Sequence, residues 1–284
     1  NISGYTGQYK NVGAINNKGL EISLNADVIR TSKFQWTSDF NIGFNRNRVT
    51  ELYGGKPELK GLKRLEEGRD MDEWYLREWA GVDPANGSPL WYTTDENGKR
   101  TTTDSYNKAD RVYCGSAAPK FTGGWMNSFS YKGFTLTANF DFVYGNLLYN
   151  QSRELLDSDG AYADYNSMKL KSGWKRWEKE GDIATHPKAI NGGNKNSNKS
   201  SSRYLEKGNY FSLRNLSLGN SIPEKLCGKL GLQQVNVSCS ADNLFTLTPF
   251  SGVSPQLSDS STDGYAGTIY PLSRRIVFGL NVSF

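Results

Sequence analysis

The residues best equipped for chemistry lie between positions 150 and 190. Asp157-Ser158-Asp159-Gly160, with Glu154 and Asp164 beside it, spaces carboxylates like a loose calcium loop. The third acid before the glycine and the bidentate Glu at the twelfth position are missing, so no metal site is assigned. The one histidine, His186, precedes Pro187, and a single histidine argues against His-rich metal centres and a Ser-His-Asp triad. Cys114, Cys227 and Cys239 show no CxxC spacing, and their odd number argues against a full disulfide framework. Cys239 alternates with Val235, Val237 and Ala241 and reads as a small packing residue. Nothing places two carboxylates at a glycosidase separation. No catalytic residue and no cofactor is therefore assigned, and the chain reads as a non-enzyme.

Aromatic side chains offer a different chemistry. Leu170, Trp174 and Trp177 recur at i, i+4 and i+7, which predicts a short amphipathic helix. Trp174 and Trp177, with Tyr162 and Tyr165, are the candidate substrate-binding residues, because flat apolar rings suit sugar C–H surfaces and peptide side chains. The same stripe equally serves to pack a loop onto the body beneath it.

These residues sit in a long connection between strands. Leu20, Ile22, Leu24, Ala26 and Val28 alternate with polar residues, and Phe34, Trp36, Phe40, Ile42 and Phe44 resume the pattern after Thr31-Ser32-Lys33. A weaker pair, Trp74 to Val82 and Pro89 to Thr94, is joined by Asp83-Pro84-Ala85-Asn86-Gly87, which is turn chemistry. Phe121 to Tyr131 and Phe134 to Tyr144 meet at Lys132-Gly133. Tyr210 to Ile222 pairs with Leu232 to Leu247, with a bulge expected near Arg214-Asn215. The last strand carries Ile276, Phe278, Leu280, Val282 and Phe284 on one face and Gly279, Asn281 and Ser283 on the other.

About nine strands follow, several of them ten residues or longer, as a bilayer-crossing strand requires. Short connections at 31–33, 83–88, 132–133 and 223–231 alternate with long ones at 51–72, 95–119, 147–203 and 248–272. One end of the sheet has tight turns and the other long loops, the pattern of an outer-membrane barrel with short periplasmic turns. The fold class is all-β, a transmembrane antiparallel barrel, although a secreted β-sandwich that binds glycans shares much of the pattern. No apolar run approaches the ~18 residues of a membrane helix, which excludes only helical spans. A formal net charge of +5 spread among acids argues against nucleic acid, and the Lys169 to Arg176 run reads as a solvated face. In a barrel, Asp39, Asn41, Asn139, Asp141 and Asn281 face the lumen, and Phe121, Tyr131, Phe134, Tyr144 and Phe284 form aromatic girdles.

Several stretches resemble TonB-dependent outer-membrane receptors, the first of them the family in general and the others its SusC/RagA branch. They are Asn11-Val12-Gly13 through Gly19-Leu20-Glu21, Trp79-Ala80-Gly81-Val82-Asp83-Pro84, Pro119-Lys120-Phe121-Thr122-Gly123-Gly124, Ser202-Arg203-Tyr204-Leu205-Glu206-Lys207-Gly208-Asn209-Tyr210, Asp242-Asn243-Leu244-Phe245-Thr246 and Tyr270-Pro271-Leu272. They occur in the family's order over nearly the whole chain, with Asn220 where the family usually has Tyr before Ser-Ile-Pro. The resemblance implies a plugged barrel of about 22 strands, of which residues 1–284 are the C-terminal segment, about nine strands, with the plug and the earlier strands absent from this chain. It implies a multi-pass protein of the bacterial outer membrane that imports oligosaccharides, or oligopeptides, under a SusD-like surface lipoprotein, energised by TonB with ExbB-ExbD. It also implies that Phe278, Leu280, Val282 and Phe284 form the C-terminal signal read by the barrel-assembly machinery.

Overall fold

The computed structural model describes residues 13–229, 231–257, 264–267 and 269–284. Asn11 and Val12 of the first family-like stretch, and positions 258–263 and 268 of the last long connection, lie outside the described residues.

The chain opens with two long strands, β1 (Ala14–Arg30) and β2 (Phe34–Glu51). A run of short strands follows: β3 (Glu58–Lys60), β4 (Lys63–Leu65), β5 (Glu73–Arg77), β6 (Trp79–Val82), β7 (Pro89–Thr94), β8 (Arg100–Thr103) and β9 (Arg111–Ser116). The hairpin β10 (Phe121–Tyr131) and β11 (Phe134–Tyr144) turns at Lys132 and Gly133, whose φ values of 47° and 86° are the left-handed pair of a two-residue hairpin turn. Then come β12 (Leu147–Asn150), the helical turn α1 (Ser152–Leu156), β13 (Leu205–Lys207), β14 (Tyr210–Ser221), the short α2 (Glu224–Lys229) and β15 (Gln234–Leu247). The tiny β16 (Tyr265–Ala266) and the long β17 (Arg275–Ser283) complete the series.

The long strands form one antiparallel sheet in the order β1-β2-β10-β11-β14-β15-β17. Side chains alternate across a strand, and the register carries that alternation unbroken from strand to strand. One row runs Ile29, Trp36, Phe129, Leu136, Leu218, Cys239, Phe278 across all seven strands. On the opposite face Asn25, Asp39, Met126, Asn139, Asn215, Asp242 and Arg275 form a second row. Register shifts beside Asn139 and between Leu213 and Asn215 mark the bulge expected there, and the faces stay in step across it.

The apolar face is bare. Leu24 is 60%, Leu280 70% and Phe278 80% exposed. Each large apolar side chain left in water forgoes about 1.5–3 kcal/mol of burial free energy, so a face made of them demands an apolar surround. The buried core lies elsewhere, in the connections. Trp74, Leu76 and Ala117 pack with Tyr149 and Tyr204, and Tyr265 leans on them. Trp74 is fully buried; its ring meets Tyr149 at 5.8 Å and Tyr265 at 5.2 Å, and its Nε1 donates to Leu147 O at 2.9 Å. Because these residues come from three different connections, the connections form one packed body on a single end of the sheet.

The sheet corrects the strand count. Among the described residues seven strands, not nine, make the wall, because Trp74 to Val82 and Pro89 to Thr94 belong to the loop body as β5, β6 and β7. At four to six residues they are too short to cross a bilayer, and Trp74 and Trp91 are buried in the loop body. The turn at 83–88 therefore lies in the body of long connections, and 52–120 is one connection. A hairpin adds an even number of strands, so the alternation of short and long ends survives its removal. Phe121 pairs with Tyr144 at the long-loop end, and Tyr131 with Phe134 at the short-turn end, which puts aromatic rings at both rims of that hairpin.

Candidate ligand cavity in the long connections

Within the connection 145–209 two near-adjacent carboxylates are taken almost wholly out of water. Asp157 is 2% and Asp159 1% exposed. Burying such charges is costly unless each is paired and hydrogen-bonded. Three arginines supply the pairing. Arg153, from α1, donates to Asp157 Oδ2 at 2.9 Å and to Glu206 Oε1 at 3.0 Å. Arg203 forks onto Asp159, with Nη2 at 3.1 Å from Oδ1, and lies 3.4 Å from Asp157. Arg176 reaches Asp159 Oδ1 at 2.7 Å, and Ser197 Oγ donates to Oδ2 at 2.7 Å. Asp157 and Asp159 of the Asp-Ser-Asp-Gly run are thus turned onto guanidinium groups, while Glu154 accepts from Tyr149 OH and Ser200 Oγ.

His186 is buried beside them. Its Nε2 lies 2.9 Å from Asp157 Oδ2 and its Nδ1 2.8 Å from Thr185 Oγ1. An ionised carboxylate only accepts, so Nε2 is the nitrogen that carries the proton. Burial pushes the Asp157 carboxyl up, but the His186 hydrogen bond and the charges of Arg203 and Arg153 outweigh it and hold the group below its usual range. A carboxyl depressed in the folded state contributes stability that is complete above the unfolded value and is lost as pH falls through the folded one. Amide protection in residues 153–160, corrected for intrinsic exchange rates, is expected to stay constant from about pH 7 to 5 and to fall only below about pH 4. A loss already at pH 6 would contradict this assignment.

In front of this cluster lies a cavity of about 360 Å³. Trp79 enters it from the first long connection, Pro249 from the third, and Arg153, Lys171, Trp174, His186, Arg203, Glu206 and Lys207 from the second. The Trp174 ring carries Arg153 at 4.4 Å, Lys171 at 4.5 Å and the His186 ring at 4.9 Å. Trp79 carries Arg203 at 5.0 Å. Cations over indole faces are held by the ring quadrupole, and here they flank the space between the two tryptophans.

The four aromatic candidates do not converge. Trp174 lines this cavity. Tyr162 and Tyr165 pack edge to face at 5.5 Å and line a separate cavity of about 290 Å³ with Met168 and Arg176. Trp177 is buried: its Nε1 donates to Pro84 O at 2.9 Å, and it fills the space above Gly87. There φ is +75°, and an added Cβ would stand 2.5 Å from the indole. Trp177 is therefore a clamp between two connections rather than a ligand contact. The helix expected over 170–177 is absent, because the segment is pinned by the Arg176–His186 bridge and by Lys175, whose backbone exchanges hydrogen bonds with Thr185. Sequence reasoning missed Trp79, Arg153, Lys171, Arg203 and Lys207. The one signal that could have found them is the concentration of arginines around two near-adjacent aspartates in a single connection.

Of the polar wall candidates, Asp39, Asn41, Asn139, Asp141 and Asn281 all fall on the polar face by register. Asn41 accepts from Gly124 N at 3.0 Å, and Asp141 from Tyr210 OH at 3.2 Å. Phe278, Leu280 and Val282 lie on the apolar face, and Phe284 is 87% exposed.

No family model matches the chain. Among known proteins it is 29% identical to TonB-dependent receptor P3 of Formosa agariphila, over 99% of this chain and 30% of the relative. It is 22% identical to TonB-dependent receptor SusC of Bacteroides thetaiotaomicron, over 97% of this chain and 27% of the relative. The solved RagAB peptide transporter superposes on all of the chain with a TM-score of 0.83 at 27% identity. The chain is a homologue of the barrel portion of SusC/RagA-type TonB-dependent receptors. It spans about 30% of the length of the relatives it matches. The RagAB importer in its open-open state also aligns over the whole chain, with a TM-score of 0.78, covering 30% of that structure. These relatives are receptors and transporters by name, and the all-β fold of this chain superposes on the solved RagAB structure.

Proposed function

We propose that this chain is the C-terminal wall and part of the outer vestibule of an outer-membrane importer. The observation that carries this is the seven-stranded register, which keeps one apolar face bare and the other polar while a packed body covers a single end. The apolar face meets lipid. Asp39, Asn41, Asn139, Asp141 and Asn281 line a water-filled lumen and face the plug supplied by the rest of the receptor. The packed body faces outward, under a SusD-like lipoprotein, and TonB drives release through the plug. The end of the last strand, with Phe278, Leu280 and Val282, and Phe284 after it, is the segment the barrel-assembly machinery engages.

Oligosaccharides are the first reading of the cargo, from the aromatic rings in the vestibule. Oligopeptides are the second, favoured by the RagAB peptide transporter, which matches the chain at higher identity than SusC does. The test is uptake of labelled oligosaccharides and oligopeptides by cells expressing the full-length receptor. Uptake of one class is expected to cease when TonB is deleted or the proton gradient is collapsed, while the receptor remains in the outer membrane. A full-length protein that is monodisperse without detergent, or uptake indifferent to TonB, refutes the reading.

A further inference from the structure

We propose that the cavity between Trp79 and Trp174 takes a carboxylate group of the imported oligomer, seated among Arg153, Lys171, Arg203 and Lys207. This rests on the import reading and names the chemistry its vestibule selects.

Three observations point there. Arg153 and Arg203 are 5% and 7% exposed, and their Nη atoms are spent on Asp157, Asp159 and Glu206. The Nε–H of each finds no acceptor among the described residues. A buried charged donor without an acceptor is a cost that a bound anion removes. Secondly, Lys171 and Lys207 line the cavity, and neither is paired with an acid among the described residues. Thirdly, the acid in the lining, Glu206, is already used: it accepts from Arg153 at 3.0 Å, from Ser251 N at 2.7 Å and from Ser251 Oγ at 2.6 Å. The balancing aspartates stand behind the arginines, so the unspent charge facing the cavity is positive. Planar guanidinium groups suit a planar carboxylate, and the two indoles beside them suit the apolar flank of the unit that bears it.

A carboxylate reaches such a site on a uronic-acid unit or on an acidic peptide, and matched probes distinguish them. The full-length receptor in detergent is titrated calorimetrically with a galacturonic-acid tetramer and its methyl ester, and with a tetrapeptide of glutamate and its glutamine counterpart. One acid is expected to bind on the order of tenfold or more tightly than its neutral partner, with the preference shrinking as salt rises. The pair that shows it identifies the source. Lys171→Gln with Lys207→Gln is expected to bring that preference towards unity while loop hydrogen exchange stays as in wild type. These lysines are exposed and neither pairs with an acid among the described residues, so they avoid the unfolding that replacement of a buried arginine risks. Equal binding within both pairs, no binding of either acid at millimolar concentration, or a preference that survives the double variant overturns the inference. TonB-dependent uptake of neutral oligomers alongside such a result would leave the import reading intact.

Discussion

Arg203→Met in the full-length receptor is expected to release the connection 145–209 while leaving the wall folded. Arg203 is the fork that holds Asp159 and the near neighbour of Asp157, and all three side chains are almost wholly out of water. Methionine matches the stem but removes the cation, leaving Asp159 to Arg176 and Asp157 to Arg153 and His186. Stripping one partner from a buried ion pair costs about 3–5 kcal/mol, because the remaining charge stays desolvated. Expressed locally, that amounts to amide exchange faster by on the order of a hundredfold or more in residues 145–209. The peptides of β10, β11 and β14 should keep their protection, since their hydrogen bonds run strand to strand. Arg203→Lys should fall between, because a point charge cannot reproduce the fork. Uniform loss across wall and connection, or no loss at all, would show that the cluster does not hold the loop body together.

A second large effect separates the two faces of the wall. Phe140 and Thr137 lie three positions apart on β11 and point to opposite faces. Phe140 stands in a row with Leu24, Phe40, Trp125 and Leu213, midway between the aromatic rims. Phe140→Arg places a charge on the face read as lipid-facing, at an expected cost of about 2–4 kcal/mol near the bilayer centre. Thr137→Arg places the same charge among Ser128 and Ser217, with acids in the neighbouring rows, and should cost close to nothing. Urea unfolding of the full-length protein in lipid vesicles reads the difference directly. Equal costs at the two positions would mean that neither face meets lipid, and the wall assignment would fail.

Much of the wall was legible in the sequence, because a strand with one apolar face repeats with a period of two and a two-residue turn such as Lys132-Gly133 announces itself. Trp74 to Thr94 was misread for the same reason. A short strand in a water-exposed sheet alternates like a bilayer-spanning one, and only the burial of Trp74 and Trp91 tells them apart. The cavity was less legible still. Trp174 and Trp177 carry helical spacing, yet their segment is irregular, and one ring lines the cavity while the other clamps Gly87. The decisive pairs, Arg203 with Asp159 and Arg153 with Glu206, join residues 44 and 53 positions apart. Short-range periodicity carries no trace of such partners.

The turn at Lys132-Gly133 acts as a phase-setter for everything that follows it. Because side chains alternate with a period of two, adding or deleting one residue there would invert the parity of β11 against β10. Every strand paired beyond it, β14, β15 and β17, is registered on β11 directly or through its neighbours, so the inversion would propagate across the remaining wall. The chain's tolerance of length change is therefore lopsided. Length changes at exposed positions of the long connections leave the register of the wall untouched, while the tight turns accept changes only in steps that preserve the beat.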